Sequence, residues 1–123
     1  MAAGRALVVA AIGEFLTGLA LLAAPAFVGR VLLGEDLVGT ALPVARVAGV
    51  ALVGLAIACW PGPPLAGMLA YSAGIAIYLA YLGLVGAASG TLLWPAVGVH
   101  VALTALFVRD MVRRSARGGA AAT

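Results

Sequence analysis

The stretch "LVVAAIGEFLTGLALLAAP", Leu7–Pro25, decides the fold class. A bilayer hydrocarbon core of about 30 Å takes roughly 20 apolar residues as a helix, and this stretch meets that requirement. Yet it carries a carboxylate, Glu14, near its middle. A carboxylate at the centre of a span is disfavoured by about 2.5–3.5 kcal/mol on insertion scales. Glu14 is therefore expected to face inward and find a donor, or to be protonated, because desolvation raises a carboxyl pKa.

The rest of the chain repeats the pattern. Four runs have the length and apolarity of spans: about 6–28, 41–60, 65–85 and 92–108. The 123 residues are 65% hydrophobic and 9% charged, with mean hydropathy +1.21. A soluble domain is about half apolar and a quarter charged, so too little polar surface is left here for water. A signal peptide is disfavoured for the first run, which exceeds about 7–15 apolar residues and contains Glu14.

Breaks separate the runs. "WPGPP" (Trp60 to Pro64) cannot continue a helix, and "GAASG" (Gly86 to Gly90) is a short turn. Such short connections join antiparallel neighbours. After Pro25, "AFVGRVLL" predicts a short interfacial helix with Val28, Leu32 and Leu33 in the headgroup boundary. The expected fold is all-α: one antiparallel four-helix transmembrane bundle over 1–110, followed by a basic, frayed tail over 111–123.

Arginine placement orients the spans. With the N-terminus in the cytoplasm, Arg5, Arg109, Arg113, Arg114 and Arg117 fall inside, and only Arg30 and Arg46 outside. Both termini are thus expected to be cytoplasmic, with the tail arginines beside anionic lipid. Trp60 and Trp94 sit at span ends, where aromatic residues belt the interface. Net charge is +3, but arginines flanking spans do not make a nucleic-acid surface. The single cysteine, Cys59, excludes an intrachain disulfide. It reads as a small apolar filler, with palmitoylation the alternative.

Depth brings polar groups together. At about 1.5 Å per residue, Glu14 and His100 lie roughly 12–14 Å from the cytoplasmic ends of their spans, and Tyr71 roughly 9 Å. These three form the candidate intramembrane polar site. Arg46 and Tyr78 lie near 20 Å and form a second layer. Helical side chains lean toward their own N-terminus, which parts Glu14 from Arg46. His100 and Tyr71 are therefore the expected partners of Glu14, with Arg46 snorkelling or bonding Tyr78. Tyr71, Gly74, Tyr78 and Tyr81 make one helical stripe, read as packing or as a ligand-facing wall. His100 is read as a hydrogen-bonded core histidine, as part of a proton or quinone site, or as a haem or metal ligand. A bis-His haem site would need a second copy of the chain, since His100 is the one histidine.

No nucleophile elbow, phosphate-binding loop, HExxH or Cys/His metal spacing occurs. The layout resembles the small four-helix bacterial membrane proteins grouped as DoxX-like. The resemblance is carried by "GEFLTGLALLAAP" (Gly13 to Pro25), "LLG" (Leu32 to Gly34), "ARVAGVALVGLAIACW" (Ala45 to Trp60) and "LLWPAVGVHVAL" (Leu92 to Leu103). It implies an inner-membrane four-helix bundle, in some cases associated with thiol or quinone redox systems.

The functional expectation is a non-catalytic subunit or accessory protein of the bacterial inner membrane. Its partners would be the lipid bilayer and another membrane protein or a second copy of itself, and no cofactor is expected. The alternatives are a proton-coupled transporter acting as a dimer, with Glu14 titrating, and a redox component binding quinone or haem through His100.

Overall fold

The computed structural model describes the backbone of residues 2–121 and the side chains of 4–121. Five helices follow one another: α1 (Ala2–Ala23), α2 (Pro25–Leu33), α3 (Ala41–Cys59), α4 (Pro64–Leu84) and α5 (Leu93–Ala121). No strand occurs among the described residues. All but α2 are long and apolar enough to cross a membrane. The chain divides into two compact units, Met1–Tyr71 and Ser72–Thr123, with the boundary inside α4.

Local chemistry sets the helix ends. Pro25 lacks an N–H and its ring clashes with the carbonyl four residues back, so it cannot continue α1. It also pushes Ala24 out of helical geometry, to φ −141° and ψ 60°. The first span thus closes at Ala23, short of the expected 28, and Pro25 starts α2 from its first turn. This is the short helix expected there, with Phe27, Val31, Leu32 and Leu33 exposed. At the other turn, α4 closes in a Schellman motif. Gly86 is left-handed at φ 72°, its N–H bonds the Gly83 carbonyl at 3.3 Å, and the Ala87 N–H bonds the Leu82 carbonyl at 2.9 Å.

In the first unit, α1 packs mainly on α3. The contact is made backbone to backbone. A β-carbon at Gly18 would lie 2.8 Å from the Gly49 carbonyl oxygen, and one at Gly49 would lie 2.8 Å from the Gly18 oxygen. Only glycine permits that approach. Gly49 also meets Leu21 and Leu22, while Gly18 meets Val53, so numbers rise on one helix as they fall on the other. The pair is antiparallel.

A second crossing of the same kind joins α3 to the start of α4. A β-carbon at Gly54 would lie 2.8 Å from Tyr71 Cβ, and one at Gly67 would meet the Gly54 oxygen and lie 2.6 Å from Ala58 Cβ. The loop after α2 is folded back as well: Arg30 forks onto Asp36, with Nε to Oδ1 and Nη2 to Oδ2 both at 2.8 Å, and Leu37 covers Gly29.

In the second unit, Trp94 at the start of α5 lies on Gly83, whose β-carbon would sit 2.9 Å from Trp94 Cζ2. Trp94 nonetheless stays 52% exposed, as an interfacial indole does. The most buried face of the α4 segment is Ser72, Ile75, Ala76 and Leu82. The tyrosine stripe is a different face, and Tyr81 on it is exposed. Helix α5 runs unbroken to Ala121, so residues 111–121 are helical where a frayed tail was expected. Asp110 and Arg114 stand four apart, an acid-before-base spacing that supports a helix, and alanines are the best helix formers. Ala122 and Thr123 lie outside the described residues.

In the first unit size, not polarity, separates inside from outside. The buried positions of the first unit are Ala11, Gly18, Pro25, Gly29, Ala45, Gly49, Gly54, Ala56 and Gly67. Ile12, Leu16, Leu55, Ile77, Val101 and Leu106 are exposed.

Candidate functional site

The site is built around the end of α1. A helix leaves its last four carbonyls without intrahelical donors, and here Pro25 removes one potential donor. The Leu22 carbonyl is one of those orphans. Arg46, one and a half turns into α3, donates Nε–H to it at 3.4 Å. The guanidinium thus closes the negative end of α1 from the neighbouring helix, where a cation is favoured. The hydroxyl of Tyr78 is buried and has no hydrogen-bond partner among the described residues. Arg46 and Tyr78 belong to different units, and within its own unit Arg46 meets a backbone carbonyl.

Other polar side chains also serve the backbone. Thr17 Oγ1 donates to the Gly13 carbonyl at 2.8 Å. Thr104 Oγ1 donates to the His100 carbonyl at 2.7 Å. Each hydroxyl is satisfied one turn back on its own helix, the usual solution for threonine in an apolar helix.

Glu14 and Tyr71 belong to the first unit and His100 to the second. All three are half-buried. Tyr71 and His100 are each engaged with a neighbour, and the Tyr71 backbone is wedged against Gly54. Glu14 stands on the side of α1 shared with Ala11 and Gly18, beside the α3 seam. Its carboxyl makes no hydrogen bond or ion pair among the described residues. The donor expected for it is not met within its own unit.

Two features escape a reading by polarity alone. Ser72 is fully buried, and its hydroxyl has no hydrogen-bond partner among the described residues. Its signal was its size, since small residues mark the inner face of a membrane helix. The other feature is an apolar groove of ≈540 Å³ in the first unit. Its walls include Ile12, Phe15 and Leu16 of α1, Ile57 and Trp60 at the end of α3, and Ala66 of α4. The groove lies beside the Gly54–Gly67 crossing of α3 and α4, with large side chains of α1 as its other wall.

Outside the long helices, Arg30 holds the Asp36 carboxyl below its ordinary range, chiefly by the hydrogen-bonded fork and in smaller part by charge. Both side chains are exposed, so the pair orders the loop rather than anchoring the fold. No protein-family model, no curated protein and no solved structure matches this chain.

Proposed function

We propose that the chain is an integral protein of the bacterial inner membrane. It crosses four times, keeps both termini in the cytoplasm, and serves as a non-catalytic subunit or accessory protein. The observation that carries this reading is the inverted distribution of side chains in the first unit: alanine and glycine at the helix contacts, with most leucine, isoleucine, valine and phenylalanine side chains outward. Lipid is the solvent in which that arrangement costs nothing and close backbone packing holds helices together. The five-to-two arginine bias supports the orientation, and the likeness to DoxX-like proteins points the same way.

The accessory role follows from how the polar groups are used. Arg46, Thr17 and Thr104 are committed to backbone carbonyls. Glu14 remains without a donor in its unit, and a carboxylate left to hydrocarbon is disfavoured. Another membrane protein, or a second copy of the chain, supplies that donor. The test is the particle size of the detergent-extracted protein, wild type against Glu14→Leu. Wild type should travel as a complex, and the variant as the 12.1 kDa chain in its micelle. Two identical single-chain particles would refute the accessory reading. Reporters fused after Asp36 and at the C-terminus check orientation, with periplasmic activity expected only for the first.

A further inference from the structure

We propose that the groove of the first unit seats one acyl chain of an anionic glycerophospholipid whose phosphate is held at Arg5. This rests on the membrane reading above and gives it a specific ligand. The groove's side-chain walls are hydrocarbon apart from the Trp60 indole N–H. An empty groove of that kind forfeits dispersion contacts along its whole lining, and a hydrocarbon chain restores them.

Charge and spacing select the lipid. Arg5 is exposed and stands seven residues before Ile12 and eleven before Leu16, so it shares their face of α1. From Arg5 to Leu16 the helix rises about 16 Å. That matches one leaflet, about half of the 30 Å hydrocarbon core. The antiparallel register that pairs Gly18 with Gly49 puts Trp60 opposite Leu7, between the level of Arg5 and the floor of the groove. An indole at that depth belongs at the headgroup boundary. A single molecule thus meets all three features: phosphate at Arg5, glycerol region at Trp60, acyl chain between α1 and α3.

The experiment is native mass spectrometry of the full chain released from mild detergent. It is paired with reconstitution in nanodiscs of phosphatidylglycerol mixed with phosphatidylcholine. One phosphatidylglycerol per chain should stay bound. Ala66→Phe fills the groove from α4 and should bring the bound fraction down to background. Arg5→Gln should keep binding a chain but lose about fivefold in preference for phosphatidylglycerol, the effect of one arginine at a membrane surface. Arg5 is exposed near the helix end, so its variant folds and decides the headgroup claim even where Ala66→Phe does not. Unchanged retention in a folded Ala66→Phe, or unchanged preference in Arg5→Gln, overturns the proposal. So does a dimer mass that Ala66→Phe abolishes, since the groove would then be an interface between copies. Protein that needs detergent yet retains no lipid sinks the lipid site alone; protein soluble in plain buffer sinks the membrane reading with it.

Discussion

Adding one methyl group at the glycine crossings tests the packing most directly. A β-carbon at Gly49 would stand 2.8 Å from the Gly18 oxygen, and at Gly67 it would stand 2.6 Å from both Ala58 Cβ and Ala58 N. These neighbours are backbone or backbone-anchored atoms, so relief requires the helices to part. Overpacking of this kind costs about 1–3 kcal/mol. Alanine returns about 0.5–1 kcal/mol over glycine within a helix. Gly49→Ala and Gly67→Ala should each lose about 1–2 kcal/mol net, with Gly67→Ala the worse. Gly13→Ala is the internal control, because nothing lies within 4 Å of its added carbon. It should gain about 0.5–1 kcal/mol. The assay is reversible denaturation in mixed micelles, followed by far-ultraviolet circular dichroism. Gly18→Ala with Gly49→Ala should fall short of additive, because both open the same crossing. Gly49→Ala as stable as Gly13→Ala would refute the claim that bare backbone contact holds α1 to α3.

Gly86→Ala should cost about 1–2 kcal/mol in the same assay, since its φ of 72° is left-handed. Arg46→Ala should lose about 1 kcal/mol, as the bond to Leu22 is long, whereas Arg46→Lys should recover part of it through charge at the end of α1. The Arg30–Asp36 fork should release as pH falls. Asp36 has a depressed folded value, so its contribution is fully present above the unfolded aspartate value of about 3.9 and lost as pH drops through the folded one. Amide exchange across residues 34–39 should quicken in that acid range in wild type and show no such step in Asp36→Asn.

The features legible in the sequence are those fixed by neighbours along the chain. Pro25, the "WPGPP" turn and the Gly86 turn each act within a few residues, so the helix boundaries follow from them to within one residue at the second and third spans. What depth and charge could not supply was azimuth. The tyrosine period on α4 is real, but every face of that helix is apolar, so a stripe found by period carries no sign of which way it points. The small residues do carry that sign: Gly54, Gly67 and Ser72 mark contact faces because only they let backbones meet. The partner of Arg46 was missed for a related reason. Matching side chain to side chain by depth overlooks the carbonyls that a proline-terminated helix leaves open, although Pro25 announces them. The tail was read from low complexity, whereas Asp110, Arg114 and the alanines hold helix geometry through local spacing.

These misses share one physical cause, and it bears on where function resides. In water, a buried polar side chain stands out because few exist; in lipid, the backbone is itself the largest store of polar groups, and it takes first claim on any donor nearby. Arg46, Thr17 and Thr104 look functional by residue type and prove to be backbone partners. Subtracting them leaves Glu14, whose carboxyl has no donor in its unit, as the polar group of α1 that the fold does not consume. On the accessory reading proposed above, that carboxyl meets its donor on a partner. Glu14→Gln should separate charge from hydrogen bonding at that contact. If association survives the amide and is lost in Glu14→Leu, the partner offers a hydrogen bond. If the amide alone abolishes it, the partner brings a positive charge, and the carboxylate is ionised within the membrane.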